Sequence, residues 1–314
     1  MTDSLYRRCC NKLFGKEVET FGLSSIVRLY CGYPSWLPMP FNVYHGWYIE
    51  VPRPADLRHR SSLLLVYNKR HAEEWRACTD KPVAIFGAPF IHYRRLKNIQ
   101  RRADAAGTIV YPGHDATLND FVFDIRKFCA QLAALPEKFH PVTVSVLEED
   151  IRAGKDKVYR DHGFRTCFPG TRRDRGFCRA FYEELARHRY ACGNHFGTNI
   201  LYVVEMGVPF FFLGEIGHGV DRARGEMIIK NCTPKHDRLR DRVLELFAEP
   251  VDEVTPEQRA LILAESGIED CLPPDEVRRL LLKMFLTREL PRAVFTAVAW
   301  PFKRLRRASA QVGV

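Results

Sequence analysis

Apolar positions along the chain fall into short runs bounded by turn residues, and these runs alternate with stretches of helical period. Residues 41–44, 63–67, 83–86 and 108–111 are apolar, mostly β-branched or aromatic, and flanked by Gly, Pro, Asn or His-Gly turns. That is the pattern of short buried strands. From Leu118 onward Phe121, Val122, Ile125, Phe128, Cys129 and Leu132 recur at helical spacing. Thr117 stands before them as an N-cap with Asp120 three residues on, close to a capping box. The spacing predicts a helix there. Beyond a link at 136–141, strands are expected at 142–147, 164–168, 190–192 and 208–213. Helices are expected over about 148–162, 174–188 and 199–206. After residue 220 the pattern turns helical, at 238–248, 256–266 and 275–290, with Pro291 ending the last.

Alternating strands and helices imply parallel strands joined by crossover helices. A chain of 314 residues holds material for two cores of about 150 residues each. The expected fold is therefore α/β, with two Rossmann-like domains facing a cleft. The expected divisions are an N-terminal domain at 1–136, a C-terminal domain at 137–290 and a basic amphipathic tail at 291–314.

Residues 190–215 carry the most information. A strand runs into the turn Gly193-Asn194-His195-Phe196-Gly197-Thr198, then a short helix, Gly207 and a second buried strand. Such a unit puts free backbone N–H groups and the positive end of a helix at the carboxyl edge of a sheet, where phosphate binds.

The net charge of +10 raises the possibility of a nucleic-acid partner. The cations lie in islands, however: one from Arg94 to Arg102, one at Arg172, Arg173 and Arg175, one from Lys303 to Arg307. No helix-turn-helix, zinc-finger or RNP pattern and no interleaved aromatic platform accompanies them, which argues against nucleic acid. An anionic small substrate and an anionic membrane surface fit such islands at least as well. No apolar run reaches the roughly 20 residues of a membrane span, and the first residues lack a secretory signal pattern. The expected compartment is the cytoplasm, with peripheral contact to the inner face of the membrane. Residues 293–302 are apolar, contain Trp300 and lead into the last basic island, so they either lie in the headgroup region or pack back on the protein. Ten scattered cysteines without a Cys-x-x-Cys pair read as reduced apolar residues, and no metal site is expected.

Several polar turns fall at expected carboxyl ends of strands: His45-Gly46, Gly87-Ala88-Pro89, Pro112-Gly113-His114-Asp115, Gly170-Thr171-Arg172-Arg173 and Gly193-Asn194-His195. His45 and His114 are candidates for a general base or a phosphate donor, or else turn histidines with satisfied hydrogen bonds. His195 has little to pack against in its Gly-rich turn. Arg172 and Arg173 either clamp a diphosphate or form a solvated pair. Glu148, Glu149 and Asp150 supply a catalytic carboxylate or the acidic first turn of a helix.

Together, His45-Gly46, Gly87-x-Pro89 and the C-terminal strand–turn–helix–Gly–Val-Pro strand resemble bacterial GT-B glycosyltransferases of surface-polysaccharide synthesis and the related CDP-glycerol glycerophosphotransferases. The resemblance covers roughly residues 40–215. Gly197-Thr198 stands where glycerophosphotransferases commonly have a serine pair. It implies metal-independent transfer of a sugar from a nucleotide-sugar donor to a polysaccharide or lipid-linked acceptor, without a cofactor. His45 and His114 would be catalytic; Arg172, Arg173, Gly193, Asn194, His195, Gly197 and Thr198 would bind the donor. Transfer of glycerol phosphate or sialic acid from a cytidine nucleotide is the alternative chemistry, and a non-catalytic scaffold of the same fold the alternative class.

Overall fold

The computed structural model describes residues 2–14, 20–44, 46–49, 60–115, 119–221, 223–227 and 233–298. His45, Thr117 and the tail from residue 299 lie outside them.

Two parallel sheets form an α/β fold. The first has three strands in the order β1 (Asn42–Val43), β2 (Leu64–Val66), β3 (Val83–Ile85). The second has five, built from β4 (Thr108–Tyr111), β6 (Val142–Ser145), β7 (Arg165–Cys167), β8 (Tyr190–Gly193) and β9 (Phe210–Phe212) in the order β7-β6-β4-β8-β9. Each strand sits on an apolar run expected to form one; most are shorter than the run, while β4 matches it and β8 extends one residue beyond, to Gly193. In the second sheet the alternation is clear. Ile109, Tyr111, Ala191, Phe210 and Phe212 face one cluster of buried residues, while Val110, Tyr190, Cys192 and Phe211 face another.

The first cluster also takes in Leu65 and Tyr67 of the three-stranded half, and Phe90 and Ile91 of the helix Pro89–Leu96. One core thus runs between the sheets. Phe90 stacks on Tyr202 at 4.8 Å between ring centres. The hydroxyls of Tyr67 and Tyr202 are 3.0 Å apart, and Arg94 grips buried Glu205 with two bonds of 2.7 Å. The later helices return to the first sheet. Leu272 N donates to Ile85 O at 3.1 Å, and Asn68 Nδ2 donates to Glu265 O at 2.7 Å. Gly267 (φ +64°) ends the helix Pro256–Ser266, and a Cβ there would meet the backbone of Tyr67 and Asn68.

Four features differ from expectation. Thr108–Tyr111, expected in the N-terminal block, is the central strand of the second sheet, because its ladders run to β6 and β8. The helix expected from Leu118 is instead β5 (Asn119–Val122), paired antiparallel with β10 (His218–Asp221), and a helix Ile125–Ala133 capped by Asp124. The charged helix at 148–162 is two helices, Glu148–Arg152 and Lys155–Asp161, parted at the left-handed Gly154. Pro291 does not end the last helix. A π turn at Phe285–Glu289, with Leu290 N bonded to Phe285 O, precedes it, and helix continues over 290–298. The wider turn relieves the clash and missing donor that a proline brings.

Candidate functional site

The strand order makes a gap. From β4 the chain winds outward to β6 and β7, then returns to β8 on the other side of β4, so the segments leaving β4 and β8 diverge at the carboxyl edge. A cavity of about 380 Å³ lies there. Tyr111, Pro112 and His114 after β4, Ser145 and Leu147 at the end of β6, Arg172 after β7 and His195 to Asn199 after β8 line it. Gly46, Trp47 and Tyr48, following β1, close it from the other sheet. Phe21, Phe90, Phe177, Phe181 and Tyr202 make an aromatic wall. The volume and the mix of apolar wall with few polar groups suit a small-molecule ligand.

The polar groups converge. The rings of His114 and His195 are 5.6 Å apart and perpendicular. Burial, and secondarily the Arg172 guanidinium, lowers His114 to about 4, so its imidazole is neutral at pH 7. A ring so lowered is neutral but only weakly basic. Arg172 Nη2 lies 3.2 Å from Glu149 Oε1. Behind His114, Lys155 Nζ bonds Asp115 at 2.7 Å. Asp150, its carboxyl raised chiefly by burial, accepts the Asp115 N–H at 3.3 Å.

Backbone and side chain together hold the turns. Gly113 N donates to Asn194 Oδ1 at 2.8 Å. Trp47 N donates to Thr198 Oγ1 at 2.9 Å, which joins the two halves across the cavity. Trp47 Nε1 donates to Glu265 Oε2 at 2.8 Å, and Arg70 Nη2 reaches the same oxygen at 2.8 Å. Tyr48 O accepts from His71 Nε2 at 2.8 Å and Arg70 Nη2 at 3.0 Å. The segment after β1 is thereby fixed from behind.

Five buried polar atoms without a protein partner cluster here: Tyr111 Oη, Asn194 Nδ2, Asn199 Nδ2, Arg172 Nε and Glu149 Oε2. Buried polar atoms are nearly always bonded, so such a grouping marks a place for polar ligand atoms.

Of the residues singled out in sequence, His114, Arg172, His195, Gly197 and Thr198 line one cavity. Asn194 is fully buried beneath it. Gly193 closes β8, where a Cβ would stand 2.5 Å from Tyr111 O. A Cβ on Gly197 would stand 2.5 Å from His195 Nε2. Arg173 does not line the cavity: its side chain is exposed, and its N–H serves the local turn through Thr171 Oγ1. Thr198 does not cap the following helix Asn199–Glu205 through its side chain; its own backbone is helical and its hydroxyl is engaged by Trp47. Glu149 and Asp150 lie in a helical first turn, one pairing Arg172 and the other bonding the N–H of Leu147. Sequence reasoning missed the aromatic wall, Glu265 and Arg70. The aromatic residues sit at ordinary core spacing, and only Trp47-Tyr48 beside His45-Gly46 offered a signal. Among the described residues no group of three His, Cys, Asp or Glu side chains is placed to hold a metal ion.

No protein-family model and no curated protein matches the sequence. Among solved structures the chain is similar to one described as the glycosylation associate protein (Gap123) complex from Streptococcus agalactiae, at 13% identity and a TM-score of 0.33. The match covers 73% of this chain and 45% of that one, so this chain spans less than half the length of its structural neighbour.

Proposed function

We propose that the protein is a GT-B glycosyltransferase that moves a sugar from a nucleotide-sugar donor to a polysaccharide or lipid-linked acceptor. The observation that carries this reading is the cavity between β4 and β8, closed by the Gly46–Tyr48 segment of the other sheet. In an open parallel sheet that crevice is where nucleotides bind. The acceptor oxygen attacks the anomeric carbon, the bond from that carbon to the diphosphate breaks, and a base takes the acceptor proton. His45 and His114 are the candidates to take it; burial makes His114 a weak base, and a diphosphate anion beside it would raise it toward the working range. Arg172 and the His195–Thr198 turn meet the charge that grows on the diphosphate. The aromatic wall offers stacking for a base or sugar ring.

The test is a thermal-shift series with UDP, GDP, CDP, CMP and dTDP. One nucleotide is expected to raise the melting temperature by mass action, and Arg172→Ala to abolish the rise. A response to CDP or CMP alone would select the cytidine-nucleotide chemistry. No shift at millimolar concentration of any of the five overturns the enzyme reading.

A further inference from the structure

The helical segment at the C-terminal end of the described chain turns an apolar face to solvent. Leu281, Phe285, Glu289 and Ala293, four residues apart, form its buried seam. Leu286, Leu290, Val294 and Val298, also four apart, are all exposed, and Phe295 beside them is 74% exposed. The π turn at Phe285–Glu289 keeps both rows straight, because its extra residue absorbs the drift that four-residue spacing accumulates on an ordinary helix. One turn and two turns earlier the same exposed row continues as Lys283 and Arg279. Arg288 flanks it.

Its charge is one-signed. From Val277 to Val298 the only acidic residue is Glu289, which is fully buried and bonded to Ser62 N at 3.2 Å. The exposed acids of this helix, Asp275 and Glu276, are confined to its first turn, where Asp275 pairs Arg278; beyond them an apolar row continued by cations complements a surface that is apolar inside and anionic outside. A second copy fits less well, since a two-fold contact would set these cations against their own kind. No described helix is long and apolar enough to cross a membrane, so the contact is with a surface.

We propose that this face docks on anionic phospholipid. Leu286, Leu290, Val294, Phe295 and Val298 enter the boundary between headgroups and acyl chains, and Arg279, Lys283 and Arg288 meet lipid phosphates. The site lies outside the nucleotide cavity, so either proposal can fail without the other.

The experiment is co-sedimentation of the full chain with vesicles of phosphatidylcholine alone or with about a third phosphatidylglycerol, at low and high salt. Wild type should bind the anionic vesicles, and salt should release it. Leu290→Ser with Phe295→Ser, both exposed positions, should lower partitioning at least about tenfold at an unchanged melting temperature. Arg279→Gln with Lys283→Gln should lower it by roughly fivefold per charge on anionic vesicles only. The proposal is overturned if wild type binds neither vesicle or both equally, or if the serine pair binds as wild type does, which would move the contact to the basic run at 303–307. It is also overturned if sedimentation shows a wild-type dimer that the serine pair splits, because a second copy then covers the face.

Discussion

Asn194 accepts the N–H of Gly113 at 2.8 Å, and this bond ties the turn leaving β4 to the turn leaving β8. Asn194 is fully buried, and its own carbonyl accepts Gly217 N at 3.1 Å. Removing the carboxamide leaves the Gly113 N–H unsatisfied inside the protein. Asn194→Ala should therefore cost about 1–3 kcal/mol in urea denaturation and should weaken or erase the nucleotide-induced rise in melting temperature. A stable variant with an undiminished rise would show that the turns hold their places without this bond.

Gly193 offers a steric test of the same edge. Its Cβ would stand 2.5 Å from Tyr111 O, so Gly193→Ala must push β8 from β4 at the cavity floor. The expected cost is about 1–3 kcal/mol, with nucleotide binding reduced more than an Ala at exposed Gly176 would reduce it. Equal effects at both positions would count against a tight floor.

Glu265 supports the segment after β1 from outside the cavity, taking Trp47 Nε1 and Arg70 Nη2 on one oxygen. Arg70 holds its carboxyl below the usual range against the effect of burial. Glu265→Ala leaves buried Arg70 with Glu74, at 3.4 Å, as its carboxylate partner, beside the carbonyl of Tyr48. A loss of about 3–5 kcal/mol is expected. Glu265→Gln, which keeps an acceptor for Trp47, should lose less and should retain the tryptophan emission of the wild type. Identical losses for both variants would argue that the charge, and not the Trp47 contact, sets the cost.

Acid should destabilise the protein through four imidazoles. Burial lowers His71, His92, His114 and His188 each to about 4 from 6.5. Between those values the unfolded chain binds protons that the folded chain refuses. Stability is therefore full above pH 6.5 and falls as pH drops toward 4, by up to about 1.4 kcal/mol per pH unit for each ring. Urea midpoints at pH 7, 5.5 and 4.5 should show the slope, and His188→Gln should make it shallower. A slope identical in His188→Gln would mean that this ring takes its proton without unfolding.

Much of this architecture was legible in the sequence, because buried parallel strands leave compact apolar runs between turn residues. The eight parallel strands all sit on such runs. Legibility failed where local pattern and distant partner disagree. Phe121 and Val122 fit a helix by spacing, yet pair with His218 and Gly219 about a hundred residues on, in a stretch with no strand pattern of its own. Thr108–Tyr111 was read correctly as a strand, but nothing local tells which sheet it joins. Arg172 and Arg173 are alike in sequence; the course of the backbone turns one into the cavity and the other to solvent. Glu265 could not be connected to Trp47 because 218 residues separate them.

The core that passes between the two sheets bears on how the molecule would melt. Phe90, Tyr67 and the Arg94–Glu205 pair bind the halves through apolar area and buried charge, so neither half keeps its packing when the other unfolds. Calorimetry should record a single transition, with van't Hoff and calorimetric enthalpies in agreement. A molecule of this build has little freedom to swing open as two rigid lobes. Ligands would enter the cavity at the carboxyl edge of the strands while the shared interior stays closed.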